Sequence, residues 1–278
     1  MNGRICDLHT HSTFSDGTFT PTELVEEAKR LGLAVIALTD HNTVDGLPEF
    51  VLAGQRFCVP TVGGVEFSVD YEGKELHILG LFIEPKAYEQ VRAFTAEYKR
   101  KKEESNIALV AALNKAGYAI DIDKIRARTN GQFNRAHVAA ELTAQGYVSS
   151  IPEAFSALLS KKGGFYKEPP RPSAGETIAF IKDIGALSVL AHPLLNLTEN
   201  ELNIFLYKTQ GLVGMETQYS KYDSQKVKIS KRIAEHFNLL ESGGSDFHGA
   251  NKPDIQMGSG KGNLRVPTEF YERLKNTL

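Results

Sequence analysis

Residues 4–41 read RICDLHTHSTFSDGTFTPTELVEEAKRLGLAVIALTDH, and this stretch decides the fold class. It opens on an apolar run at 4–8 and closes on a second at 34–39. Each run leads straight into histidine: His9 and His11 after the first, His41 after the second. Between them, Thr20-Pro21-Thr22-Glu23 has the form of a capping box with Pro at the first helical position. Leu24, Ala28 and Leu31 then share one helical face, and Gly32 stops the helix. A strand, a helix and a strand in that order argue for parallel strands, as an open sheet or a closed barrel.

The same alternation continues outward. Further strand-like runs lie at 61–66, 76–83, 186–191, 212–217 and 239–243, giving seven in all. The rhythm breaks between about 98 and 165, where only helical patterns are legible, over 107–116, 135–145 and 152–159. The charged run Lys99-Arg100-Lys101-Lys102-Glu103-Glu104 mixes signs and reads as a solvated helix face. The stretch Glu168-Pro169-Pro170-Arg171-Pro172 returns the chain to strand–helix alternation. The expected organisation is an α/β barrel in two parts, 1–98 and 166–278, with an inserted helical domain at 99–165.

Bulk composition narrows the class. The 278 residues carry a net charge of −2, so nothing in the overall balance marks a duplex nucleic-acid or membrane surface. Cys6 and Cys58 follow no metal-ligand spacing, which argues against a disulfide scaffold and for a reducing cytosol. The N-terminus lacks the apolar core of a signal peptide, and no apolar run approaches the ~18 residues of a membrane helix. A soluble, cytoplasmic protein is expected.

The chemistry collects at the ends of the strand runs. His9 and His11 are two apart, so in an extended chain both imidazoles point to one side. Asp16 lies in the loop just beyond. Asp40 and His41 end the second run, Glu66 the third, His192 the fifth, and Asp246 with His248 follow the seventh. Loops at the carboxyl ends of parallel strands meet around one pocket, so these dispersed residues converge. Imidazoles mixed with carboxylates suit Zn, Mn or Fe rather than Mg or Ca. Asp40 reads as a carboxylate that orients a ligand, not as a ligand. His236 reads as a helix-surface residue.

His77 opens its run instead of closing it. If Glu72-Gly73 is a two-residue hairpin loop, opposed positions sum to 145. Glu66 then faces Leu79 and Ser68 faces His77, which makes Glu66 and His77 diagonal neighbours on one face.

Asp-Leu-His-Thr-His, Thr-Asp-His-Asn, Gly-Val-Glu-Phe-Ser, Leu-Ala-His-Pro and Gly-Ser-Asp-Phe-His-Gly together resemble the motif set of the PHP (polymerase and histidinol phosphatase) family. The resemblance implies a distorted (β/α)7 barrel and a site of two or three divalent ions (Mn, Zn or Fe). By the same resemblance one ion takes His9, His11, Glu66 and Asp246. A second takes Glu66, His77 and His192, and a third Asp16, His41 and His248. The insertion, with Phe133-Asn134-Arg135-Ala136-His137, is similar to that of the stand-alone phosphoesterase branch, where the usual motif has proline at the Ala136 position. That branch implies phosphate monoesters as substrates, nucleoside 5′-monophosphates or 3′,5′-bisphosphates above all, and the 5′ ends of short RNA. It also implies attack by a metal-bridging hydroxide, with Arg135 gripping phosphate and His137 assisting the leaving oxygen. Read from the residue alone, Arg135 is equally a surface ion-pair partner, and Lys167 a surface lysine. Unpaired N–H groups at the start of the helix opened by Arg135 are expected to favour anions. Two other activities stay open: a histidinol-phosphate phosphatase, and a non-catalytic metal-binding regulatory module.

Overall fold

Strand edges and helix caps follow from local sequence. The computed structural model describes residues 4–128 and 133–278. It divides them into two compact units, one built from residues 1–93 and 172–278 and the other from 94–171.

In the first unit all seven strand runs form strands: β1 (Ile5–Asp7), β2 (Val35–Leu38), β3 (Thr61–Tyr71), β4 (Lys74–Leu81), β5 (Leu187–Ala191), β6 (Gly214–Tyr219) and β7 (Leu240–Gly244). They neighbour one another in chain order around the sheet. An eighth strand, β8 (Val266–Pro267), pairs antiparallel with β1. Two residues carry too little pattern to be read in advance. The edges nearly close the sheet into a barrel, because Leu8 N donates to Gly243 O at 3.2 Å and Asp246 N to His9 O at 2.8 Å. Gly244 permits that approach: a Cβ there would stand 2.3 Å from the Cβ of His9.

β4 departs from the parallel pattern and runs antiparallel to both β3 and β5. The hairpin explains it. Glu72 (φ 50°) and Gly73 (φ 79°) both take left-handed backbone, as a type I′ turn requires. The register is the expected one, with Glu66 opposite Leu79 and Ser68 opposite His77.

Helices α1 (Pro21–Leu31) and α2 (Leu47–Phe57) follow β1 and β2. Thr20 and Glu23 form the capping box of α1, and Gly32 ends it in left-handed conformation. Val35 and Ala37, Leu79 and Leu81, and Leu187, Val189 and Ala191 give alternate positions of three strands to one buried cluster.

The second unit is helical among its described residues. Helix α3 (Tyr88–Lys115) begins in the first unit and crosses into it without a break, so the division falls at Phe94 and Arg171 rather than at 99 and 165. No Pro, Gly or capping signal marks that crossing. Helices α4 (Ile122–Arg128), α5 (Arg135–Ala144) and α6 (Ile151–Ala154) follow. Leu109, Leu113, Ile125, Val138, Leu142 and Leu158 belong to a core separate from that of the barrel. Helices α7 (Ala174–Asp183), α8 (Glu199–Lys208), α9 (Ser224–His236) and α10 (Thr268–Lys275) complete the first unit.

Candidate metal centre

The strand ends deliver nine ionisable side chains to one place. Glu66 stands at the middle, fully buried. Its Oε1 lies 2.6 Å from His77 Nδ1 and 2.9 Å from His192 Nε2. Its Oε2 lies 3.1 Å from both His11 Nε2 and His41 Nδ1, and 3.2 Å from His9 Nε2. The diagonal placement argued for His77 thus brings it into direct contact with Glu66.

Asp246 Oδ1 approaches His11 Nε2 at 3.3 Å and His9 Nε2 at 3.6 Å. Asp16 Oδ1 lies 3.2 Å from His248 Nε2, and its Oδ2 lies 3.8 Å from His41 Nε2. Three groups keep their ligand atoms within 4.8 Å of one another: His9, His11, Glu66 and Asp246; His11, Asp16, His41 and His248; and His41, Glu66 and His77. His192 belongs to none of these three groups; its Nε2 meets Glu66 Oε1, and its ring stacks on that of His9 with centroids 5.6 Å apart.

The backbone bends to bring these groups together. His192 (φ 30°) and Asp246 (φ 57°) both adopt left-handed conformation, as does Asn42 (φ 54°) beside His41. Such strain in non-glycine residues costs on the order of 1–3 kcal/mol each and collects at functional sites.

Proton placement tests whether cations fit. His9 Nδ1 is 3.0 Å from the buried carboxylate Oε1 of Glu216, so that nitrogen carries the proton and Nε2 presents a lone pair. His248 Nδ1 likewise faces the carbonyl oxygen of Asp246 at 2.8 Å, leaving Nε2 to Asp16. The lone pair of His9 Nε2 then points at Glu66 Oε2, a buried oxygen whose near neighbours are the imidazole nitrogens of His9, His11 and His41. Two lone pairs at 3.2 Å repel unless positive charge lies between them. The donor set fits divalent ions that accept imidazole and carboxylate together.

Without ions the charges settle on protons. Burial disfavours the charged form of every group here. Against it, contacts with Asp246 and Glu66 hold His11 up at about 9, and Glu66 holds His77 up at about 10. His41 follows burial instead and falls to about 3. Burial would raise the Glu66 carboxyl, but His77, His41 and His9 bring it well below the usual range.

Supporting residues divide into those foreseen and those missed. Asp40 accepts from Ser12 N at 2.8 Å, Ser12 Oγ at 2.5 Å and Ser15 Oγ at 2.6 Å. It touches no imidazole; it fixes the loop whose Ser15 Oγ stands 3.4 Å from His11 Nδ1. Glu216, Tyr219 and Lys252 were not foreseen. Glu216 was legible as a charged residue inside the apolar strand β6. Tyr219 Oη donates to Asp246 Oδ2 at 2.8 Å, and Lys252 Nζ lies 2.7 Å from the same oxygen. Both leave Oδ1 turned toward His9 and His11.

Arg135 and His137 lie in the first turn of α5, within the helical unit. The Arg135 guanidinium sits 4.0 Å from the centre of the Tyr166 ring and donates to Leu159 O at 3.2 Å. The expected open N–H groups are closed off, because Asn134 Oδ1 accepts from Ala136 N at 2.9 Å and His137 N at 3.1 Å. His236 is exposed at the end of α9.

Comparison with known proteins gives the family. The PHP domain family model matches residues 7–161. The chain is 35% identical to a 5′-3′ exoribonuclease of Haemophilus influenzae, over 87% of this chain and 89% of the other. It is 31% identical to a phosphoribosyl 1,2-cyclic phosphate 1,2-diphosphodiesterase of Eggerthella lenta (87% and 94%) and 30% identical to a 3′,5′-nucleoside bisphosphate phosphatase of Chromobacterium violaceum (91% and 90%). An inferred metal-dependent phosphoesterase of Bifidobacterium adolescentis superposes with a TM-score of 0.86 at 28% identity, covering 98% of this chain and 95% of the other. No helix among the described residues is long and apolar enough to cross a membrane. With its barrel, its ring of histidines around Glu66 and these relatives, the chain belongs to the PHP family and is a metal-dependent phosphoesterase.

Proposed function

We propose that the protein hydrolyses phosphate monoesters of nucleosides, namely 5′-monophosphates, 3′,5′-bisphosphates or the 5′ ends of short RNA, in the cytoplasm. One observation carries the reading: five imidazole nitrogens stand within 3.2 Å of the two oxygens of Glu66. No packing need explains so many ionisable groups around one buried carboxylate. The names of the relatives, an exoribonuclease and a bisphosphate phosphatase, support a nucleotide substrate.

Two or three divalent ions of the Mn, Zn or Fe kind complete the site. His9, His11, Glu66 and Asp246 would hold the first, Glu66 with His77 and His192 the second, and Asp16, His41 and His248 the third. Ions held there supply positive charge for phosphoryl oxygens and lower the pKa of water toward ~7, making a nucleophile available at neutral pH. The chain supplies the order. Glu216 holds the proton on His9 Nδ1, and the carbonyl of Asp246 holds the one on His248 Nδ1, so both rings present Nε2 inward. Tyr219 and Lys252 hold Asp246 Oδ2 back. Full burial of His9, His11 and Glu66 keeps bulk water out and strengthens every charge interaction there.

The test is phosphate release from adenosine 5′-monophosphate, adenosine 3′,5′-bisphosphate and histidinol phosphate, with Mn and then with chelator. Chelator-sensitive release from the nucleotides is expected. Faster turnover of histidinol phosphate would change the substrate, and tight metal binding with no turnover of any ester would leave a regulatory metal module.

A further inference from the structure

Asp7, the last residue of β1, is fully buried two positions before His9, and it belongs to none of the ligand groups. Its Oδ1 accepts from Ser245 N at 2.8 Å and from His9 N at 3.3 Å. Its Oδ2 accepts from Ser245 Oγ at 2.5 Å and from Gly258 N at 2.7 Å. These donors are three backbone N–H groups and one hydroxyl, with no imidazole or ammonium among them. A buried carboxylate is costly unless its oxygens are used, and here each takes at least one backbone N–H. The 2.5 Å hydroxyl contact has the length of a charge-assisted bond.

The donors come from three segments that meet at the closing seam of the barrel. Backbone bonds cross the seam from Leu8 N to Gly243 O, from Asp246 N to His9 O and from His11 N to Phe247 O. Ser245 N leaves that ladder and donates to Asp7 instead. The departure falls immediately before Asp246, which takes left-handed backbone (φ 57°) and faces His9 and His11 with Oδ1. The third segment is the tight turn in which Gln256 N donates to Gly260 O and Gly260 N to Gln256 O, both at 2.8 Å. Gly258 within it has φ 72°, and a Cβ there would stand 2.7 Å from Leu33 Cδ2, so glycine is required to present this N–H to Asp7. The same grip recurs one strand away. Asp40, just past β2, takes Ser12 N at 2.8 Å and Ser12 Oγ at 2.5 Å, next to His11. Asp7 takes Ser245 N and Oγ at the same two distances, next to Asp246. A staple for the barrel alone could sit anywhere along the seam; both grips close on the residue beside a proposed metal ligand.

Resting on the phosphoesterase reading above, we propose that Asp7 is a positioning residue of the metal centre, gripping Ser245 so that Asp246 keeps its Oδ1 turned toward His9 and His11. The grip needs a carboxylate. Backbone N–H groups arrive at both oxygens, whereas asparagine has one oxygen and must point its NH2 group at one of those N–H groups. Loss of the grip frees Ser245 to rejoin the seam ladder, which carries Asp246 away from the two imidazoles.

The experiment measures Mn affinity by competition against a chromogenic chelator, alongside thermal melting of the metal-free protein. Asp7→Asn is expected to lower Mn affinity about tenfold, with activity on adenosine 5′-monophosphate partly restored by excess Mn. Ser245→Ala removes one hydroxyl and should shift affinity in the same direction by a smaller factor, with little change in melting. In an Asp246→Asn background, Asp7→Asn should cost under about twofold more, because its effect runs through the Asp246 carboxylate. Melting should fall with Asp7→Asn in both backgrounds, so affinity is the readout that separates aiming from stapling. An affinity loss of equal size in both backgrounds would overturn the positioning role, as would lowered melting with unchanged Mn affinity. If Asp7→Asn does not fold, Ser245→Ala decides, and wild-type Mn affinity in that variant overturns the proposal. A wild-type enzyme that binds Mn but releases no phosphate from any ester overturns the phosphoesterase reading, while the affinity comparison still decides the role of Asp7.

Discussion

Glu216 Oε1 stands 3.0 Å from His9 Nδ1, while its Oε2 accepts from the backbone N of His192 at 2.6 Å. One buried carboxylate therefore sets the tautomer of one proposed ligand and the backbone position of another. Outer carboxylates of this kind contribute about 10- to 100-fold to metal affinity or activity. Glu216→Gln should lower metal affinity within that range, with activity partly restored by excess Mn. Competition against a chromogenic chelator measures it, and an unchanged affinity would remove Glu216 from the account.

Much of this was legible from residues 4–41 outward, because strand ends, caps and the hairpin are local. The two-residue turn at Glu72-Gly73 set the register that brings His77 to Glu66. What escaped depends on distant pairing. β8 has two residues and exists only because β1 lies beside it. Lys252 meets Asp246 through a loop pinned to Thr18 and Asp16, more than 200 positions away in the chain. Asp40 reads from the sequence as a carboxylate that orients a ligand, yet two serine hydroxyls and an amide lie within its shorter reach.

Stability of the metal-free protein should peak between mildly acidic and alkaline pH. His11 and His77 sit at about 9 and about 10 when folded, against 6.5 ordinarily. Groups raised in this way stabilise the fold fully below 6.5, and that contribution is lost as pH climbs through 9 to 10. His41, lowered to about 3, acts in the opposite sense: its contribution is complete above 6.5 and is lost as pH falls toward 3. Thermal unfolding in chelator, followed from pH 5 to 10, should show a maximum near pH 6.5 and a steady decline from there toward 9 to 10. A melting temperature still rising from pH 8 to 10 would contradict the assignment. Added Mn should flatten the alkaline decline, because ions then take the place of the protons.

Asp16 belongs to the most open of the three groups, with its side chain 24% exposed and that of His41 19%. An ion there should exchange fastest. Asp16→Ala is expected to lower activity by roughly ten- to a hundredfold, with partial rescue by millimolar Mn. Elemental analysis should show the loss of less than the full complement of metal. A collapsed thermal transition in place of a rescuable defect would make Asp16 a structural residue of the 12–18 loop.

Arg135 is held by the face of Tyr166 and by the carbonyl of Leu159, so its first measurable role is in the helical unit. A cation–π contact contributes ~0.5–1 kcal/mol at an accessible site and a hydrogen bond about 1 kcal/mol. Arg135→Ala should therefore destabilise by about 1–2 kcal/mol. Lysine keeps the charge but loses the planar fork, and Arg135→Lys should recover less than half of that. Denaturant midpoints of the three proteins check it. The same variants test the phosphate-gripping role that the family resemblance implies. A charge-assisted bond to phosphate contributes ~1.5–3 kcal/mol, so that role requires a several-fold to hundredfold loss of kcat/KM on a nucleotide. The loss on a small aryl phosphate should be much smaller. A stability loss with kcat/KM reduced alike on both substrates would leave Arg135 as a packing residue of α5, and a selective loss on the nucleotide would assign its guanidinium to substrate.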